Sequence, residues 1–476
     1  KKAVSLLQEC KNRGKKVYLV SDMYLPGDVL EEILKENGIT GYDGLYVSCD
    51  EKKLKNEGLF ALVPGIAAEN RKKILHIGDN LINDGICAGM LELDYCLLAS
   101  PIELLRKTSW DMCVSMCESV NDRSILGLCA AELFSDPFAL SQIEKKFAFS
   151  GMNQFGYVIV APVVVSFLCW LIQMLEKDRK NREDRIDKIL FAARDGFIIK
   201  ELYDHIQMQN AQLPKSVYFY TSRKVAVMPD MANEAVINML IDISRDLTPG
   251  EMLEHVFGVQ KEDVLPWNDF DCEHIHSYVW KHKNKIFKKA EQARKHYFRY
   301  MGNVGLEIGK TYAFFDFVSS GTCQKSLMKY VPFDLKGYYF AWNSKEDKRQ
   351  YQIQTYYNET DAFFMHHYKI LELYMTSEEP SLTDFTSAGD VVFSKEMRSK
   401  EELSQIRGVH EAVLHFGRIF FHDMYVASER TSHLLAEMIY RNVASMDMPI
   451  KGLYDLEIVD DWKMKKIGIR ETMRDE

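Results

Sequence analysis

Residues 187–207 read DKILFAARDGFIIKELYDHIQ, and residues 216–224 read SVYFYTSRK. An apolar run stops at a charged turn, passes into a stretch of helical period, and returns to a second apolar run. That is the pattern of a strand–helix–strand crossover, and it implies a parallel sheet, because antiparallel neighbours need no helix between them. The same grammar opens the chain. A helix over 1–14 leads into KVYLVSD (16–22), then helix GDVLEEILKENG, strand GLYVS, helix NEGLFALVPGIAAE over 56–69, and strands KKILHIGD and DYCLLAS. The expected fold is therefore α/β. A Rossmann-like parallel sheet covers residues 1–100, a helical connector 101–185, and a second Rossmann-like module with helical insertions and C-terminal helices 186–476.

Within the second module, Thr248-Pro249-Gly250-Glu251 reads as a capping box with Pro at the first helical position, starting helix MLEHVFG. A basic helical stretch over 274–302 precedes the strands KTYAFFDFV and LKGYYFAW, and 399–445 is again mostly helical. The run from Phe147 to Leu175 carries no charge and is long enough to cross a bilayer. Asn153, Gln154, Gly156 and Pro162 interrupt it, and Pro162 suits the first turn of a shorter buried helix, PVVVSFLCWLIQML. No membrane span is expected.

Across 476 residues, 47% hydrophobic and 27% charged side chains describe an ordinary globular chain and exclude a disordered or collagen-like one. Sixty Lys and Arg against 69 Asp and Glu give a net charge of −9, with no basic cluster dense enough to track a phosphate backbone, so nucleic acid is not an expected partner. Ten cysteines without a CxxC pair suggest neither a zinc site nor a disulfide framework, which points to a reducing, cytoplasmic compartment. The opening KKAVSLLQECKNRGKK is an amphipathic helix rather than a signal peptide, as expected of a domain entered partway.

Three features stand in the order a phosphoryl-transfer site requires. Ser21 closes the strand YLVS, where its hydroxyl can donate to a phosphate oxygen beyond a parallel strand's carboxyl end. Lys55, in KKLKNEGLF, adds a positive charge at a helix start. The segment GDNLIND then sets Asp79 at a strand end with Asp84 five residues on, two hard oxygen ligands suited to magnesium. Singly, a Ser after a strand is a common helix cap and a lone Lys a solvated side chain. Two acids and two amides clustered where a strand ends are harder to explain structurally.

Together these motifs resemble the haloacid-dehalogenase-like (HAD) hydrolase superfamily, with Ser21 matching its second motif, Lys55 the third, and Asp79 and Asp84 the fourth. The resemblance covers about the first 100 residues and implies a magnesium-dependent phosphatase that passes through an aspartyl-phosphate. Its first motif, DxDx(T/V), should precede Ser21, yet the 20 residues before it contain no Asp. The nucleophilic and acid–base aspartates are thus absent from this chain, and so is the sheet's central first strand. The resemblance then implies unpaired strand edges beside 17–20 and 74–77, and either a parent that supplies the strand or a non-catalytic module.

In the second module, LFAARDGFII echoes that first motif with Ala193 at the nucleophile position, so no phosphoenzyme can form there. Arg194 and Asp195 follow this strand, Thr221, Ser222 and Arg223 the next, and FFDFVSSGT offers Asp316 with Ser319, Ser320, Gly321 and Thr322. Strand ends of one parallel sheet share an edge, so Arg194, Asp195, Ser222, Arg223, Asp316, Ser320, Gly321 and Thr322 are expected around one phosphate-binding cleft. The SSGT turn is expected to present backbone N–H groups into it; equally, Arg194–Asp195 could be a structural ion pair and SSGT a helix cap. The strand–RDG, TSR and D-x-x-x-SGT segments, with GYVIVAPVVVSFLCWL before them, resemble large HAD-like proteins associated with bacterial surface-polysaccharide and glycosyltransferase clusters. The expected function is phosphatase-type hydrolysis of a phosphorylated small molecule, such as a sugar phosphate or nucleotide sugar, inactive here without the nucleophile. The alternatives are a non-catalytic scaffold of surface-glycan assembly with a glycosyltransferase partner, and a transferase with its site in the C-terminal half.

Overall fold

The computed structural model describes residues 2–66, 73–134, 149–180, 185–358, 363–445, 457–460 and 465–468. It divides into two compact units, Lys1–Met112 with Gly127–Lys146, and Cys113–Leu126 with Phe147–Glu476.

In the first unit, β1 (Tyr18–Ser21) pairs in parallel with β2 (Gly44–Val47), and β3 (Leu75–Gly78) with β4 (Asp94–Leu97). Among the described residues the two pairs form no ladder with each other. They share one apolar cluster, in which Phe60, Val63, Ala88 and Leu93 are buried with Val20 and Ile74 against them. Parallel strands are ordinarily covered on both faces, yet β3 leaves Leu75 58% and Ile77 40% exposed. The helix expected over 56–69 is instead two short 3-10 turns, Lys55–Glu57 and Leu59–Leu62, separated at Gly58; residues 67–69 lie outside the described residues.

The second unit is built on five parallel strands: β5 (Lys188–Ala192), β6 (Lys215–Phe219), β7 (Thr311–Ser319), β8 (Asp334–Trp342) and β9 (Ile353–Tyr357), in the order β6-β5-β7-β8-β9. The chain moves outward from β5 to β6 and then returns to the other side of β5 at β7, so the order reverses between β5 and β7. Adjacent residues of a strand face opposite sides. Phe315 packs on Phe167 of the helix Met152–Lys180, whereas Phe314 meets Phe219, which stacks on Tyr297 of the helix Lys283–Asn303. Both faces are covered, which explains the unbroken apolar runs of these strands.

The helix Met152–Lys180 is long and apolar enough to span a membrane, but 83% of its most apolar window is buried. It begins ten residues before Pro162. A π-helical turn, Gly156–Val160, with Ala161 N–H reaching back five residues to Gly156 O, carries the chain into Ala161–Lys180. That wider turn makes room for a proline that has no N–H and whose ring crowds the preceding turn. The helix belongs to the second unit's core, with the Ser166 and Tyr356 hydroxyls bonded at 2.7 Å and Gln173 Nε2 donating to Glu429 O at 2.9 Å. The segment 113–126 joins the same unit through Asn121, whose amide donates to Val426 O and Glu429 O and accepts from Val426 N–H. The region 101–185 is therefore shared between the two units. The Thr248 capping box forms, but leads into a π-helical turn, Met252–Val256, instead of an α-helix. The basic stretch is two helices, Ile275–Trp280 and Lys283–Asn303.

His410, on the helix Lys400–Ile419, is buried beside Phe197 with ring centroids 5.5 Å apart, and burial pushes its imidazole down to about 4. A histidine held neutral in the fold but free to protonate when unfolded costs stability as pH falls from about 6.5 toward 4. Urea unfolding at pH 7.0 and 4.5 is expected to show the native protein losing on the order of 2 kcal/mol more than His410→Gln over that interval. Equal losses would assign the acid sensitivity elsewhere.

Candidate functional site

At the order reversal, the carboxyl ends of β5, β6 and β7 open into one cleft of about 270 Å³. After β5 the chain turns at Ala193-Arg194-Asp195-Gly196. Arg194 adopts the left-handed region at φ 48°, where non-glycine residues are uncommon. Its carbonyl accepts Ser377 N–H at 3.1 Å and its guanidinium donates to Ser381 Oγ at 2.6 Å, so the strained residue is fixed from both ends. Gly196 tightens the turn: its N–H donates to Ala192 O at 2.9 Å, and a Cβ there would lie 2.6 Å from that oxygen.

Arg194, Asp195, Ser222, Arg223, Asp316 and Ser320 all line this cleft, joined by Tyr220, Thr221, Lys369, Glu372 and Glu379. Ser222 also caps the helix Arg223–Val227 and donates to Leu382 O at 3.1 Å. Gly321 and Thr322 do not line the cleft. Gly321, at φ 74° and pressed against Trp342, gives its N–H to Ser319 Oγ at 3.0 Å, and the Ser320 and Thr322 hydroxyls bond each other at 3.1 Å. The SSGT turn thus satisfies that N–H and those hydroxyls internally, as short turns do with their own donors, while Ser319 and Ser320 line the cleft.

Burial raises the Asp316 carboxyl to about 6, with the Glu372 charge adding to the rise and the Ser319 hydroxyl, the Phe317 N–H and the Arg223 charge opposing it. A carboxyl near 6 can give or take a proton near neutral pH. Lys369 pairs with Glu372 at 3.1 Å, and Tyr220 donates to Glu379 Oε1 at 2.7 Å. Arg194, Arg223 and Lys369 therefore meet four carboxylates in a mixed, mostly polar cleft.

Sequence reasoning missed the far wall, residues 376–382, and the side chain that holds it. Arg398 is buried, donating through Nη1 to Ser377 O at 2.7 Å and through Nη2 to Glu379 O at 2.7 Å and Glu378 O at 3.1 Å. It also forks onto Glu396, Nε to Oε1 at 2.9 Å and Nη2 to Oε2 at 2.8 Å. Nothing in SKEMRSKEE distinguishes this arginine from a solvated one. Lysine retains the charge but cannot supply the planar fork. Arg398→Lys is expected to cost about 2–4 kcal/mol in thermal unfolding, by leaving buried carbonyls unpaired, and to open 376–382 to limited proteolysis.

In the first unit, Lys55 Nζ lies 2.5 Å from Asp84 Oδ1, His76 Nε2 lies 2.8 Å from the same oxygen, and Asn80 N–H donates to Oδ2 at 3.0 Å. Burial alone would raise the Asp84 carboxyl, but the Lys55, His76 and Asn80 donors bring it down to about 2. Asp22, next to Ser21, accepts Lys55 N–H at 2.9 Å and so ties the end of β1 to the lysine turn. Asp79 is exposed. With three acceptor positions of Asp84 filled and an ammonium already beside it, Asp79 and Asp84 as disposed do not fit a magnesium ion. Among the described residues no group of three His, Cys, Asp or Glu could hold a metal. His76 was not anticipated; only its place two residues before GD marked it.

No protein-family model and no curated protein matches the chain.

Proposed function

We propose that the protein handles a phosphorylated small molecule of sugar-phosphate size in the cleft at the β5/β7 reversal of the second unit. The carrying observation is convergence: Asp195, Arg223 and Asp316, far apart in sequence, line one cleft where an open parallel sheet changes direction, the usual ligand position of such sheets. Arg194 and Arg223 supply fork-shaped donors for a phosphate. Asp316 is the proton-handling group for hydrolysis or transfer, and with Ala193 where the resemblance sets the nucleophile no covalent aspartyl-phosphate is expected at that position. A cleft of about 270 Å³ sits at the lower limit of small-molecule sites and favours a sugar phosphate over a nucleotide sugar. The resemblance to proteins of surface-polysaccharide clusters supports such a substrate and a glycosyltransferase partner.

Calorimetric titration with a panel of hexose phosphates and nucleotide sugars tests this reading, with binding expected to fall at least tenfold in Arg223→Ala. No binding by any member would sink it. The pH dependence follows from Asp316, whose negative charge, present above about 6, opposes an anionic ligand. Binding of a sulfated sugar, whose own charge is constant, is expected to tighten several-fold from pH 7.5 to 5.5, and Asp316→Asn to flatten that profile.

A second reading rests on the first unit, where the Lys55–Asp84 pair, the Asp22 link to β1 and, among the described residues, the absence of a ladder between β1 and β3 support a HAD-like phosphate site. Ser21 and Lys55 would hold phosphate, but neither can attack it. The chain is therefore expected to release no phosphate from an aryl phosphate; magnesium-dependent release that disappears in Lys55→Ala would prove the opposite.

A further inference from the structure

Beside the first cleft lies a second, of about 430 Å³, lined by Lys224, Met228, Val259 and Val392 together with the charged or titratable Glu254, His255, Lys261, Glu262, Lys289 and Asp384. Arg223 belongs to the first cleft and its neighbour Lys224 to this one. Two lysines share one carboxylate here. Lys289 Nζ lies 2.5 Å from Asp384 Oδ2, while Lys224 is partly buried and its Nζ makes no hydrogen bond or ion pair among the described residues. A desolvated amine beside a second cation, open to a cavity, is the arrangement that makes lysine a nucleophile.

We propose that Lys224 is a reactive amine that forms an imine with a small aldehyde or ketone bound in this cleft. The nitrogen lone pair of the neutral amine adds to the carbonyl carbon, and the carbonyl π pair moves to oxygen, which takes up a proton as nitrogen loses one. The carbinolamine then expels water on protonation, leaving a C=N bond to Nζ. Lys261 and His255 offer donors to an anionic group on the carbonyl compound, such as a phosphate or carboxylate, in a lining that also holds Glu254, Glu262 and Asp384. Burial lowers Lys224 to about 8, with Lys289 lowering it further and Asp384 opposing, so a substantial share of the amine is neutral at pH 7.5. An ordinary lysine offers roughly a thousandth.

The test uses the full chain, pyridoxal 5′-phosphate as the carbonyl probe, borohydride to reduce the C=N bond to a stable secondary amine, and peptide mass spectrometry to locate the adduct. Lys224 is expected to be trapped at pH 7.5 at least tenfold faster than the exposed Lys35 and Lys295, and Lys224→Arg to remove that fast phase. Lys289→Met frees Asp384 to pair with Lys224 and is expected to slow trapping roughly tenfold. Asp384→Asn removes the opposing carboxylate and is expected to leave trapping as fast or faster. Trapping of Lys224 no faster than that of the exposed lysines overturns the proposal, as does a rate that moves the same way in both folded variants. If Lys289→Met does not fold by circular dichroism, slowed trapping in Asp384→Asn alone overturns it.

Discussion

Phe314 and Phe315 are consecutive residues of β7, point to opposite faces of the sheet, and are both fully buried. That requirement organises the second unit. A parallel strand apolar on both sides must be covered twice, so the helix Met152–Lys180 packs on one face through Phe167 and the helix Lys283–Asn303 on the other through Tyr297 and Tyr300. With both faces closed by apolar packing, polar chemistry is left to the ends of the strands. Reversal of strand order then separates two loops at one carboxyl end, and Arg194, Arg223 and Asp316 stand where those loops part.

The first unit meets the same constraint incompletely. Its strands are four residues each, in two pairs, and alternate residues of β3 remain open to solvent. Polar contacts supply part of its order. Asp84 draws Lys55, His76 and Asn80 together, and Asp22 fastens the lysine turn to β1. A buried carboxylate is tolerated only when its donors are complete, so these residues fit together as one ion-pair cluster and removal of any donor exposes the desolvation of the rest. The lysine that the sequence marks as a phosphate ligand is thus already engaged by a carboxylate in this structure.

The strands were legible in the sequence, because runs such as KILFA, YAFFDF and GYYFAW are too short and too apolar for surface helices and each ends in small or charged residues. The parallel arrangement of β5, β6, β7 and β8 follows from the helices between them, and the convergence of Arg194, Asp195, Ser222, Arg223, Asp316 and Ser320 follows in turn; β9 was not read, since only the 3-10 turn Lys348–Tyr351 separates it from β8. What escaped depends on hydrogen bonds between distant segments or on local geometry without a one-dimensional signature. The start of the apolar helix was misplaced because Pro162 reads as a first-turn residue, whereas a π-helical turn upstream accommodates it inside. Within the SSGT turn composition does not say where a given donor points; the Gly321 N–H goes to Ser319 Oγ. Arg398 left no trace, since its partners are backbone carbonyls around twenty positions earlier.

The second unit also places two kinds of polar chemistry on either side of one thin wall. The helix Arg223–Val227 follows β6 directly, and β10 (Leu382–Phe385) runs beside it, fastened by the Ser222 hydroxyl to Leu382 O at 3.1 Å. Arg223 and Leu382 line the first cleft, Lys224, Thr383 and Asp384 the second. Neighbouring residues of an extended strand, and of the first turn of a helix, project in different directions, so a single residue step carries the wall from one cleft to the other. Arg398 anchors the segment just before β10 and Lys289 grips Asp384 within it. The wall is therefore held at both ends by cations, one fixing backbone and one fixing a carboxylate. A displacement of β10 moves the linings of both clefts, because its consecutive residues Leu382 and Thr383 belong one to each.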